Sequence, residues 1–225
     1  MVQAGLRLVD RDGVEALTMR RLGRELGVEA MSLYGHVDNK QDLLEAVLAC
    51  VHAELPEVDP ALPWAGRLRR IAGEFRAALL RHPNIVGLVA ARPVRSQAGV
   101  HMVEATLAAL RDAGLDLVQA YQALNVVVGF TVGHVAEQVG EERRRAALAE
   151  AAADAADDGS RRGDGVAGGE PVADLGDGAA DGLDRERFPN VAERALLVAD
   201  HDAEFEVGLD VIVAGISRLA EAMPV

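Results

Sequence analysis

Residues 18–40 read TMRRLGRELGVEAMSLYGHVDNK, and how this stretch folds decides what kind of protein the chain is. Thr18 is of the type that caps a helix start, because its side-chain oxygen can accept a backbone N–H left free in the first turn. In the helix that follows, Leu22 and Leu26 share one face at a spacing of four. Gly27 is placed to end that helix in the left-handed conformation that side chains resist. A second short helix is expected from about Glu29 to Gly35, burying Leu33. Asp38 or Asn39 then caps a longer helix through Leu55, with Leu44, Val47, Leu48 and Val51 inward. Upstream, residues 2–11 put Ala4, Leu8 and Val9 on one face, and Asp12-Gly13 is a stop signal.

Two helices joined at a glycine turn make a helix-turn-helix, whose second member can lie in the major groove of double-stranded DNA. Thr18 and the free N–H groups beside it are placed to hold a phosphate. Arg20 and Arg21 can reach a phosphate or a groove edge. Ala30, Met31 and Ser32 face outward and are small enough to approach bases, while Tyr34, His36 and Lys40 form a polar rail for backbone oxygens. A plainer reading stands beside this one: amphipathic helices parted by glycine are common, and arginines on a helix are most often a solvated face.

The composition bounds the rest. Half of the 225 residues are hydrophobic but only 3% are aromatic, which favours closely packed helices over a β-sandwich. No apolar run approaches the ~18–20 residues of a membrane helix, so no membrane partner is expected. Cys50 is the single cysteine, which rules out an internal disulfide and fits a reducing, cytoplasmic setting. The net charge of -13 argues against a protein coated in nucleic acid, but residues 1–50 contribute only -2 of it. Between 18 and 40 the balance turns positive, four bases against three acids. A local basic face on an acidic body is compatible with DNA binding.

LPEVDPALP (55–63) carries three prolines and marks a corner. Beyond it Trp64–Arg81 is expected to be helical, with Leu68, Ile71, Phe75, Ala78 and Leu79 on one side. A short apolar piece precedes Arg92-Pro93, and Ser96–Ala113 forms a further helix closed by Gly114. Leu117 to about Ala156 reads as one long helix or two. Residues 157–184, dense in Gly and Asp, read as a flexible loop. Helices at about Phe188–Ala199 and Asp202–Met223 close the chain. The fold class is therefore all-α, with a small helix-turn-helix domain at 1–55 and a larger helical domain at 56–225.

The run TMRRLGRELGVEAMSLYGHVDNKQDLLEAV resembles the DNA-binding segment of the TetR family of transcriptional regulators. The shared pattern is a capping threonine, an arginine-bearing helix, a Leu-Gly-Val turn, a recognition helix ending in Leu-Tyr, and a link to Asn-Lys and a Leu-Leu pair. PWAGRLRRIAGEFRAALLRH, the ARP turn, GFTVGHVAEQ and FPNVAERALLVADHDAEFEVGLDVIVAGI are similar to the tetracycline-repressor-like ligand-binding domain of that family. The resemblance carries roles to Thr18, Arg20, Tyr34, His36 and Lys40. It departs at Gly35, where an aromatic residue often stands, and at Ala30, where a glutamine is common. Ala30 and Met31 can touch a thymine methyl but cannot read a purine by paired hydrogen bonds.

The same resemblance implies a small-molecule effector pocket among the helices of 64–140, at Ile71, Phe75, Leu88, Arg92, Pro93, Phe130, His134 and Glu137. Arg92 and Pro93 match a turn that moves on ligand binding, and Glu137 matches an acidic residue near a bound metal. The family's magnesium-binding histidine falls at about Leu88 and its drug-gripping asparagine at about Ile71. The pocket is thus expected to be dry and to reject a magnesium–tetracycline chelate. His134 and Glu137, at i, i+3, are candidate ligand contacts, although a core histidine with internal hydrogen bonds reads as well. No HExxH, CxxC or Cys/His cluster exists, so no structural zinc and no cofactor are expected. Apolar residues on more than one face of the helices at 117–139 and 202–223 suit a homodimer. The leading expectation is a ligand-responsive repressor of a palindromic operator. The alternatives are a helical small-molecule-binding protein without DNA binding and an enzyme with an apolar helical pocket, for which no nucleophile–base pair can be named.

Overall fold

The computed structural model of the chain describes residues 1–159, 184, 186–194 and 200–222. Among them every regular element is helical: α1 (Val2–Asp12), α2 (Met19–Leu26), α3 (Ala30–Leu33), α4 (Lys40–Ala53), α5 (Trp64–Arg81), α6 (Val86–Ala91), α7 (Gln97–Asp112), α8 (Leu117–Gly159), α9 (Pro189–Arg194) and α10 (His201–Glu221). Short 3-10 turns at Val14–Ala16 and Pro83–Ile85 link α1 to α2 and α5 to α6. Residues 1–143 and 205–225 form one compact unit and 144–204 a second. None of the described helices is long and apolar enough to cross a membrane.

The starts and stops follow local chemistry. Thr18 accepts the N–H of Arg21, Asn39 those of Gln41 and Asp42, and Ser96 that of Gly99. In the first unit one apolar cluster joins Leu6, Leu8 and Val9 of α1, Leu22, Leu33 and the inner face of α4 to Phe75, Leu79, Ile85 and Leu88, and on to Val132, Val135 and Val139 of α8. A second cluster packs Leu68 and Ala72 of α5, Leu110 of α7 and Leu124 and Val127 of α8 around Phe205, Leu209 and Ile216 of α10. Residues 1–55 thus share their core with α5, α6 and α8.

Two expectations are revised. The helix from Leu117 is a single one of 43 residues, so 157–159 are helical where a loop was expected; alanine-rich sequence sustains it beyond the charged stretch. Residues 160–183, the bulk of the expected loop, lie outside the described residues, as do 195–199 of the penultimate helix and Met223. The recognition helix is shorter than expected, Ala30–Leu33, with Tyr34 still right-handed helical at its end.

The turn itself has two glycines with different reasons. Gly27 has φ 67°; its N–H donates to Arg24 and that of Val28 to Gly23, the paired bonds that close a helix with a left-handed residue. Gly23 sits mid-helix because the chain folds back across it: a Cβ there would lie 2.8 Å from the Val28 carbonyl oxygen and 3.3 Å from the Ala30 nitrogen. Both obstacles are backbone and cannot rotate away. Gly23→Ala is therefore expected to cost about 1–3 kcal/mol of stability, the usual range for overpacking, measured by urea unfolding. An unchanged midpoint would refute the close crossing of α2 and α3.

Candidate nucleic-acid interface

Leu33 anchors the recognition segment. It is 3% exposed, whereas Met31 two residues earlier is 77% exposed and Tyr34 46%. One turn of helix is thus pinned by its inner side chain while its outer side chains stand in solvent. Ser32 is exposed, but its hydroxyl donates to the Glu29 carbonyl at 2.7 Å. Ala30 is half-buried and packs on the core cluster, so less of it faces outward than the sequence implied. Thr18 Oγ1 accepts the Arg21 N–H at 3.2 Å, which leaves its own hydroxyl hydrogen free for an external acceptor such as a phosphate oxygen. His36 is exposed, as is Arg20, which has no charged partner among the described residues.

The other expected bases are engaged. Arg21 donates to Asp12 at 2.7 Å, so the end of α1 holds it at the start of α2. Arg11 reaches Asp12 at 2.9 Å and Glu25 at 3.2 Å. These hydrogen bonds push the Arg11 pKa up, and the bond from Arg11 pulls the Glu25 carboxyl below its usual range. Lys40 lies 3.9 Å from Glu15. All of these pairs are solvent-exposed and worth little each, so a phosphate can displace them. Sequence reasoning missed Asp12 as a competitor for Arg21, although both lie within one short stretch.

The residues expected to line an effector pocket differ in exposure. Ile71, Phe75 and Leu88 are buried, Phe130 and His134 half-buried, and Pro93 and Glu137 exposed. Phe130 stacks on Phe205 with centroids 5.3 Å apart and 15° between planes, while His134 meets Phe205 edge-on at 5.3 Å. The Arg76 guanidinium lies 4.9 Å from the centre of the Phe205 ring. Gly208 makes room for this plug, since a Cβ there would come within 2.2 Å of the Phe130 ring. Phe205 and Arg76 were not foreseen as neighbours of these residues. Arg92 leaves α6 to pair with Gln41 and, at 3.9 Å, with Glu45, both on α4. A cleft of about 230 Å³ opens between α4 and the 93–96 turn, lined by Glu45, His52, Pro93, Arg95 and Ser96. There His52 Nδ1 meets Ser96 Oγ at 3.0 Å.

A glycine-locked pair of short helices with an exposed outer face, carried on an all-helical body, defines a helix-turn-helix protein of the kind that reads DNA. Comparison with known proteins agrees. Residues 2–47 match the family model for bacterial regulatory proteins of the tetR family, and residues 56–160 that for the tetracyclin repressor-like C-terminal domain. An HTH-type transcriptional regulator of Saccharopolyspora erythraea is 36% identical over 157 residues, 67% of this chain and 66% of that protein. The match thus spans just under two thirds of that relative's length. The class A tetracycline repressor of transposon 1721 from Escherichia coli is 33% identical over 97% of this chain and 89% of its own. Among solved structures, the Streptomyces coelicolor protein ActR in complex with actinorhodin superposes with a TM-score of 0.74 at 28% identity, covering 97% of this chain and 95% of ActR. The chain belongs to the TetR family.

His52 supplies a pH test. Burial pushes its pKa below the ordinary 6.5, so the unfolded chain takes up a proton that the folded protein resists. The folded state therefore loses stability as pH falls below 6.5. Urea unfolding followed from about pH 7 to about pH 5 should show the wild type losing more than His52→Leu. Equal losses would remove His52 from the acid response.

Proposed function

We propose that this protein is a ligand-responsive transcriptional repressor: as a homodimer it binds a palindromic double-stranded DNA operator, and it releases that operator when a small molecule enters the larger domain. The observation that carries the reading is the contrast within one helical turn between buried Leu33 and exposed Met31 and Tyr34. The DNA-binding domain is residues 1–55 and the effector-binding and dimerisation domain 56–225. Thr18, Arg20, Tyr34, His36 and Lys40 serve the phosphates, with Arg21 joining once it leaves Asp12. Met31 faces the bases, flanked by Ala30 and Ser32. Dimerisation uses α8 and α10, whose Leu117, Val118, Tyr121, Val126, Val207 and Val211 are exposed among the described residues. Half-sites roughly 34–36 Å apart then meet the two recognition segments from one side.

The effector is read as an apolar molecule that parts the Phe130–Phe205 stack and is flanked by Ile71, Phe75, Leu88 and His134, with Glu137 at the rim. Ile71 and Leu88 offer no metal ligand, so a magnesium–tetracycline chelate is not favoured. ActR, 28% identical, was solved in complex with actinorhodin, which supports an organic ligand in this domain. Arg92 and Pro93 connect the site to α4 through Gln41 and Glu45. Movement at that turn would change the separation of the recognition segments. The relatives are transcriptional regulators, and we infer that the chain is no enzyme and needs no cofactor.

Fluorescence anisotropy on DNA flanking the protein's own gene tests this. Affinity should fall steeply with added salt, because phosphate neutralisation releases counterions. Arg20→Ala should bind about threefold to tenfold more weakly while its melting temperature is unchanged. Binding that ignores salt would contradict the proposal. Titration with tetracycline and magnesium should leave the complex intact, and its release at low ligand would overturn the apolar pocket.

A further inference from the structure

At the end of α5 the chain reads His82-Pro83-Asn84, and these residues hold the helices of the DNA-binding head from behind. His82 is buried. Its Nδ1 lies 3.0 Å from Asp10 Oδ1, in the last turn of α1, and its Nε2 lies 3.0 Å from Glu54 Oε1, at the end of α4. Arg81 adds a second donor to Glu54 at 3.0 Å. Two residues on, Asn84 Nδ2 donates to the carbonyls of Val9 at 3.0 Å and Asp10 at 2.9 Å. Both lie in the last turn of α1; the Val9 carbonyl also accepts the Gly13 N–H at 2.8 Å, so Asn84 adds to the bond that closes the helix. Asn84 Oδ1 in turn accepts from the guanidinium of Arg143 on α8.

The setting gives these contacts weight. A cleft of about 350 Å³ adjoins them, walled by Gly13 and Val14 on one side and by Gly87, Ala136 and Gly140 on the other. Both helices that these contacts seize support the recognition segment: α1 packs on α4, with Gly5 allowing Val47 to approach a Cβ position within 3.3 Å.

We propose that His82 and Asn84, held from α8 by Arg143, form a strut that fixes α1 and α4 and thereby positions the recognition segment on its operator. None of the three is placed on the DNA. The strut rests on the repressor reading for its function, but its mechanical part is separately measurable. It is distinct from the link between Arg92 and α4, because it grips α1 and the far end of α4.

The test compares the full-length protein with Asn84→Ala, Arg143→Ala and the double variant. Each single change should weaken specific operator binding about threefold to tenfold, and the double variant should be no weaker than either single one, because all three break the same chain of contacts. Affinity for non-specific DNA and its salt slope should stay at the wild-type values, since no phosphate contact is removed. Asn84→Asp keeps an acceptor for Arg143 but loses the donor to α1, so it should behave like Asn84→Ala. Hydrogen exchange needs no DNA: the amides of α1 should exchange faster in Asn84→Ala and Arg143→Ala, with those of α5 unchanged. Wild-type-like exchange in α1 overturns the strut whatever the DNA result. Wild-type-like operator affinity, or losses that add and extend to non-specific DNA, overturns its positioning role. Absence of DNA binding by the wild type, with α1 loosened in the variants, would sink the repressor reading and leave the strut standing.

Discussion

The close passage of the chain over Gly23 is the constraint on which the rest depends. A helix of eight residues is too short to be stable alone, and α3, at four, is shorter still. They persist because each is an abutment for the other: α2 ends on left-handed Gly27, and the backbone of Val28 to Ala30 lies against Gly23. Leu22 and Leu33 meet in the same core. With the turn locked and one side chain buried, the outer side chains of α3 acquire a defined direction without any support from DNA. Pre-organisation of that kind lowers the ordering cost of binding.

That local rigidity would be of little use on a loose hinge. The core of the head runs into α5, α6 and α8 without a boundary, so the head is joined to the body by packing on one side and by charged and polar contacts on others. Arg92 takes α4 near its start, while His82 and Glu54 take it at its end. A helix gripped at both ends transmits rotation better than one gripped at its middle. Small shifts in the larger domain can therefore reach the recognition segment through packed elements with few alternative arrangements.

Much of this was legible in the sequence because it is local. Thr18, Asn39 and Ser96 announce helix starts by residue type, and Gly27 announces an end. The buried faces of α5, with Leu68, Ile71, Phe75, Ala78 and Leu79, follow from periodicity. What escaped is what depends on distant partners. The role of Gly23 shows only when the returning chain is seen. The pairing of Arg21 with Asp12 shows only when the end of α1 is found beside α2. Phe130 and His134 read as pocket walls, and Phe205, 75 residues after Phe130, packs against both rings. Residues from Leu117 onward read as one helix or two, and the structure has a single helix whose Leu124 and Val127 pack with α5 and α10.

The charge distribution gives these pieces a common direction. A net charge of -13 repels a polyanion, but the first 50 residues hold only -2 of it. The body is therefore pushed from the duplex more strongly than the head, which favours approach with α2 and α3 foremost. Few lysines or arginines are available to hold the complex by charge alone, and several of those near the interface already face acids. On the proposed function, the phosphate contacts of α2, α3 and the start of α4 supply a salt-dependent attraction, and the fixed separation of two such segments supplies the selectivity. On the proposed reading, a ligand in the body releases the operator by changing that separation, with no charge cancelled.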